Sequence, residues 1–228
     1  MNIATLSRIA PFTLYMVFIA IEGLLHSLAG KGFLTIPGPY LLCLYPVKVL
    51  AVALVLFLFR HSYAEIRFKE LLSPVIFLFA SLVGVVVFIL WINLDQPFAT
   101  MGTLRGFDPN LFPAERMRIF LITTRLAGAA LVVPLMEELF WRSFLIRYII
   151  SPDFSKTPIG RFTWPSFLIT TVLFGLEHNL FLAGMLAGIA YNLLLYRTKS
   201  LSACIFAHGL TNLALGISVL RTGKWYFW

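Results

Sequence analysis

Long apolar runs broken by short polar segments set the plan of this chain. The runs fall at about residues 9–29, 40–59, 74–94, 116–147, 164–179, 181–197 and 201–220. Most approach the roughly 20 apolar residues that a helix needs to cross a bilayer. Backbone groups have no water to bond with at that depth, so each run is expected to be α-helical. The breaks carry turn and charge signals: Gly30 to Pro39 is rich in Gly and Pro, 60–70 is charged, 95–115 is the longest polar stretch, and 148–163 is a loop. Pro134 sits inside the longest run, where a missing N–H predicts a kink just before residue 137. The expectation is an all-α polytopic membrane bundle of seven helices, or eight if the long run splits at Pro134. A single membrane domain covers 1–228, with 1–115 as N-terminal spans and loop and 116–220 as the part that carries polar motifs. No internal repeat or low-complexity tract stands out.

Composition supports this class. Of 228 residues, 60% are apolar and 12% charged, and the mean hydropathy is +0.89, outside the range of ordinary soluble domains. The formal charge of +8 would suggest nucleic acid in a soluble protein. Here the bases lie between apolar runs, where they read as loop anchors and contacts to lipid headgroups, so no nucleic-acid partner is expected. Cys43 and Cys204 lie inside apolar runs and form no disulfide framework. The first run ends in Ser27-Leu28-Ala29, a faint signal-peptidase pattern with Arg8 as its basic flank, but is taken as a retained span. Seven spans put Arg8, Arg60, Arg67, Lys69, Arg147, Lys156, Arg161, Arg197 and Lys199 on one side. Lys31, Arg105, Arg116, Arg118, Arg221 and Lys224 fall on the other. The positive-inside rule makes the first side cytoplasmic, with the N-terminus in and the C-terminus out.

Against this apolar background the acids and histidines are conspicuous. Glu137 and Glu138 adjoin in the longest run, with Arg142 one turn on. A carboxylate near the bilayer midplane costs about 2.5–3.5 kcal/mol even on lenient insertion scales, so such acids need partners. On a helix Glu138 and Arg142 share a face and can pair, while Glu137 turns about 100° away and must find company on another helix. Measured from the cytoplasmic ends, Glu137, His178 and His208 lie roughly 15, 22 and 13 Å deep, so three helices bring polar groups to a similar level. His208 and Asn212 share a face, as do Phe174 and His178. Glu22 and His26, four apart in the first run, read as a separate, mutually satisfied structural pair.

The motifs Glu-Glu-x-x-x-Arg at 137–142, Phe-x-x-x-His at 174–178 and His-x-x-x-Asn at 208–212, in this order on successive apolar helices, resemble the CPBP family of intramembrane endopeptidases. That family includes the CAAX prenyl proteases and the bacteriocin-processing, Abi-like proteins. The resemblance covers about 116–220, with Ser143 a mild variant of the small residue that usually follows the arginine. The small size and long preceding loop also resemble the exosortase-associated CAAX-protease-related subgroup. The resemblance implies a glutamate protease with Glu137, Glu138, Arg142, His178, His208 and Asn212 as its site. It also implies a peptide or lipidated protein substrate, contact with membrane lipids, and a multi-pass location in a bacterial inner membrane.

The residues support similar chemistry. Peptide hydrolysis needs an activated water, a group that holds the oxyanion and a proton for the leaving amine. Glu137, free of the Arg142 pairing, suits the general base, with His178 orienting the water. Glu138 and Arg142 form a structural pair, and His208 and Asn212 suit the oxyanion. No cofactor is required on this reading. The alternative is a zinc metalloprotease with Glu137, His178 and His208 as ligands, although no His-Glu-x-x-His is present and Asn212 is a poor zinc ligand. Cys204, four before His208, offers a thiol mechanism. No Gly-x-Ser-x-Gly signals a serine one. A proton or ion transporter, or a scaffold with a polar core, would use the same midplane acids together with Lys48 and Arg125. The lack of an inverted repeat weighs against transport.

Overall fold

The computed structural model describes residues 2–34, 38–102 and 106–228. Part of the Gly/Pro turn and the base Arg105 lie outside them. Among the described residues the regular structure is all helical, in seven helical segments: α1 (Ile3–Gly30), α2 (Leu44–Leu58), α3 (Pro74–Asn93), α4 (Glu115–Ile150), α5 (Trp164–Leu176), α6 (Phe181–Thr198) and α7 (Leu201–Thr222). Asn2, Thr163 and Ser200 cap α1, α5 and α7 by accepting from the backbone N–H three residues on. Lys199 takes the left-handed conformation (φ 56°) that ends α6 one residue before the Ser200 cap.

Among the described residues five helices are long and apolar enough to cross a membrane: α1, α2 with its preceding turn (Pro39–Leu58), α3, α4 and α7. The predicted spans α5 and α6 fall outside that set, and α5 has only 13 residues. Large apolar side chains point outward along the bundle, among them Leu50, Leu54, Leu82, Leu131, Leu168 and Leu193. In lipid such side chains give no drive to associate, so close packing and interhelical hydrogen bonds must hold the helices together. Close helix contacts depend on glycine. A Cβ at Gly84 of α3 would meet Ala207 O of α7 at 2.7 Å, and one at Gly184 of α6 would meet the Gly175 Cα of α5 at 3.1 Å. The small residues Ala183, Gly184, Ala187 and Gly188 are all buried, as their spacing predicts. Across the first contact Tyr191 donates to Thr211 Oγ1, which in turn reaches Gly84 O, both at 2.8 Å.

The long helix does not split. Around Pro134 it carries two π-helical segments, Gly128–Val132 and Leu139–Leu145, one on either side of the proline turn. A π-turn relieves the clash and lost bond that proline imposes, and π-bulges recur at functional sites. The carbonyl of Ala129 accepts from Asn212 Nδ2 of α7 at 2.9 Å, so α7 satisfies a backbone group in the distorted stretch.

Arg8 is not a basic flank. It lies inside α1, buried, and its guanidinium donates to Glu65 at 2.8 and 2.7 Å. Ser143 Oγ also donates to Glu65, and Arg147 Nη2 donates to Ser143 Oγ at 2.8 Å. The cluster ties α1, the 60–73 loop and α4 together at one end of the bundle. Burial works to raise the Glu65 pKa, but the Ser143 hydroxyl and the Arg8 guanidinium outweigh it and hold the carboxyl below its ordinary range. A depressed folded-state value gives stability that is fully present above the unfolded value, about 4.3, and lost as pH falls through the lower folded value. Glu65→Gln should therefore destabilise the protein by about 1.5–3 kcal/mol at pH 7, and by less at pH 3. Melting of the detergent-solubilised protein at both values checks this; an equal deficit at both would remove the ionic explanation.

Candidate active site

The second π-segment carries Trp141 and Arg142, and the short α-helical stretch between the two segments ends on Glu137 and Glu138. Both glutamates are buried, Glu138 completely. Arg142 Nη1 donates to Glu138 Oε1 at 3.0 Å, the pairing expected one turn apart. Its Nε donates to Asn192 Oδ1 of α6 at 3.2 Å, and the guanidinium lies 4.3 Å from the Phe174 ring centroid. Asn192 in turn donates to Thr170 Oγ1 of α5 at 3.1 Å. Three helices thus fix one cation.

Glu138 does more than neutralise Arg142. The same Oε1 stands 2.9 Å from His208 Nδ1 on α7. A carboxylate oxygen only accepts, so this contact assigns the proton to Nδ1. The ring is stacked on Tyr191, 5.1 Å between centroids, and its other nitrogen faces Glu137, with Nε2 4.0 Å from Oε2. That spacing is too long for a direct hydrogen bond. Glu137 Oε2 has no hydrogen-bond partner among the described residues. His208 therefore stands between the two glutamates, held by one and presented to the other.

His178 follows the end of α5. Its Nδ1 lies 2.8 Å from the Phe174 carbonyl, which again can only accept, so Nδ1 donates and Nε2 keeps its lone pair. Trp91 of α3 meets the ring edge-on at 5.1 Å. Glu137, His178, His208 and Asn212 line one cavity of about 360 Å³, together with Phe174, Glu177 and Tyr191. Glu138 and Arg142 stand behind its wall.

Sequence reasoning passed over Glu177, next to His178. It lines the cavity, and its carboxylate accepts from Trp141 Nε1 at 3.0 Å, which joins the end of α5 to α4. The only sequence signal was its place inside the Phe174–His178 motif. Asn192 was missed as well, because a lone asparagine in a small-residue helix gives no hint of a partner 50 positions away. Other predicted polar residues lie elsewhere. Glu22 pairs with Lys48 at 3.0 Å, and neither lines the cavity. Cys204 is fully buried and contacts the Tyr191 carbonyl, away from the cavity.

Glu137, His178 and His208 are the side chains the sequence offers as zinc ligands. Among the described residues, no group of three or more His, Cys, Asp or Glu side chains is arranged to hold an ion. His208 Nδ1 is committed to Glu138 and His178 Nδ1 to a carbonyl. Each ring keeps Nε2 as its uncommitted nitrogen.

Residues 119–214 match the family model described as Type II CAAX prenyl endopeptidase Rce1-like. That segment holds all three motifs. No curated protein and no solved structure matches the chain.

Proposed function

We propose, from the similarity of residues 119–214 to the Rce1-like type II CAAX prenyl endopeptidases, that the chain hydrolyses a peptide bond with water activated by Glu137. The observation that carries this is the order Glu138, His208, Glu137, with His208 Nδ1 2.9 Å from the first acid and Nε2 4.0 Å from the second. A gap of that size is one a single water bridges.

Glu137 takes a proton from the water as its oxygen attacks the scissile carbonyl, and the lone pair of His178 Nε2 holds the second water proton in line. The oxyanion that forms is met by His208, which enters and leaves the cycle with a proton on both ring nitrogens, donating from Nε2 while Glu138 stabilises its charge through Nδ1. Asn212 donates the second N–H of its amide, the first being used on Ala129 O. As the tetrahedral intermediate collapses the C–N bond breaks, and the leaving amine takes the proton back from Glu137, which restores the enzyme. The apolar helices and the family make this an integral membrane protein, and a bacterial inner membrane suits it. Its substrate is a peptide or lipidated protein that reaches the cavity at membrane depth.

The test is cleavage of fluorogenic peptides, lipidated and unlipidated, by the purified protein in detergent, before and after thorough chelation. Activity that survives chelation is expected. Activity that chelator removes and zinc restores would overturn the metal-free mechanism, and failure to cleave any peptide of a broad panel would count against the enzyme.

A further inference from the structure

A second pocket, of about 260 Å³, lies at the end of the bundle where α1, the 60–73 loop and α4 are tied together. It shares no lining residue with the active-site cavity. Its walls include Arg8, Glu65, Arg67, Arg147, Phe154 and Ser155, so three guanidinium groups surround one carboxylate. That carboxylate is committed to Arg8, which grips both of its oxygens, through Nε at 2.8 Å and Nη2 at 2.7 Å. Arg147 is left over. It stands 3.8 Å from Glu65, too far for a hydrogen bond. Its donors reach neutral groups among the described residues: the carbonyl and hydroxyl of Ser143 and the Thr157 carbonyl. Those bonds use one N–H on each terminal nitrogen, and each nitrogen keeps a second N–H for another acceptor. Beyond them the guanidinium has the face of Phe154, 4.9 Å from the ring centroid. The side chain is nevertheless buried, and a buried charge without a hydrogen-bonded counter-ion is costly. Arg67, on the same pocket, is exposed, and its guanidinium makes one long hydrogen bond among the described residues, from Nε to Ala64 O at 3.4 Å.

We propose that this pocket binds a phosphate group, held by the buried Arg147 and the exposed Arg67. Three cations against one anion leave the walls with a surplus of positive charge, which a phosphate offsets. A guanidinium presents paired N–H donors that match phosphate oxygens and keeps its charge at any working pH. The loop bases predict this end of the bundle to be cytoplasmic, facing the leaflet that carries anionic lipid. Ile3 and Tyr148, chain neighbours of the lining residues Ala4 and Arg147, are exposed. An acyl chain therefore has apolar surface to lie against beside the pocket. The ligand class is a lipid headgroup whose phosphate carries a net negative charge, and a free phosphate ion offers the same chemistry without the chain.

The test is thermal shift of the purified full chain in mixed micelles, titrated with phosphatidylglycerol, with zwitterionic phosphatidylcholine, and with inorganic phosphate at constant ionic strength. Wild type should bind phosphatidylglycerol about 10–30-fold more tightly than phosphatidylcholine, whose choline cancels the phosphate charge. Removal of one arginine should lower that preference about fivefold, in Arg147→Gln and in Arg67→Gln alike. Arg67 is exposed, so Arg67→Gln should melt as wild type does without ligand, and it decides the matter if Arg147→Gln folds poorly. Lys69→Gln removes an exposed base from the same end but outside the pocket, and should leave the preference intact. A response to inorganic phosphate that both arginine variants lose, with no preference between the lipids, would uphold the site and make its ligand the free ion. No preference between the lipids together with no response to phosphate would overturn the proposal, as would a preference unchanged in Arg67→Gln. So would an equal loss in Lys69→Gln, since the field of the whole end would then be the cause.

Discussion

Glu137→Gln should lower the rate of peptide cleavage by about 10²–10⁴-fold, the range for loss of a positioned general base. It should do so without unfolding the protein. Glutamine keeps the shape of the side chain and removes a charge from a site 4% exposed, where Oε2 has no hydrogen-bond partner among the described residues. A neutral amide of the same shape leaves no polar partner stranded there, so melting in detergent should stay close to wild type. The paired result is diagnostic: a structural glutamate would lose stability along with activity, whereas a base loses activity alone. Substrate affinity should change little, because the proton transfer contributes to the transition state and not to ground-state binding. Cleavage within a few-fold of wild type would remove Glu137 from the role of base.

Much of the helical plan could be read from hydropathy because the bilayer imposes its own length scale. The boundaries of α3 and α7 fall within a few residues of those read from the runs, and the Glu138–Arg142 pair follows from helix periodicity alone. The long-range partners could not be read. Glu65 sits in a charged loop, where nothing marks it as the acceptor for an arginine 57 positions earlier and a serine 78 positions later. Pro134 announces a distortion, but a proline encodes neither a π-turn nor the asparagine on another helix that satisfies the freed carbonyl. His208 is the instructive case. Its spacing to Asn212 suggested a pair of oxyanion donors, yet one ring nitrogen belongs to Glu138, and only a protonated ring can donate from the other. The role of Glu138 as the group that holds His208 depends on a helix 70 residues away, and a face shared along one helix carries no such information.

That dual duty makes Glu138 the position where stability and activity separate by choice of substitution. Glu138→Ala strips from Arg142, which is 1% exposed, the carboxylate that pairs with it among the described residues. Breaking a buried pair in this way costs about 3–5 kcal/mol, because the remaining charge has no solvent to turn to. Asn192 and the Phe174 face still touch the guanidinium but bring no opposite charge. The alanine variant should therefore express poorly and melt well below wild type, with activity lost as a consequence. Glu138→Gln keeps an oxygen in place for both Arg142 Nη1 and His208 Nδ1, so the fold should survive with a smaller loss. It no longer offers a negative charge to an imidazolium, however, and cleavage should still fall by about 10²-fold, in the range for a weakened oxyanion contact. Adding Arg142→Met to Glu138→Gln removes the orphaned cation and should recover stability without recovering activity, because neutral replacement of a whole buried pair is often tolerated. Melting curves and cleavage rates for the three variants decide the matter. If stability and activity rise and fall together across them, Glu138 serves only to anchor Arg142, and His208 needs no carboxylate to do its work.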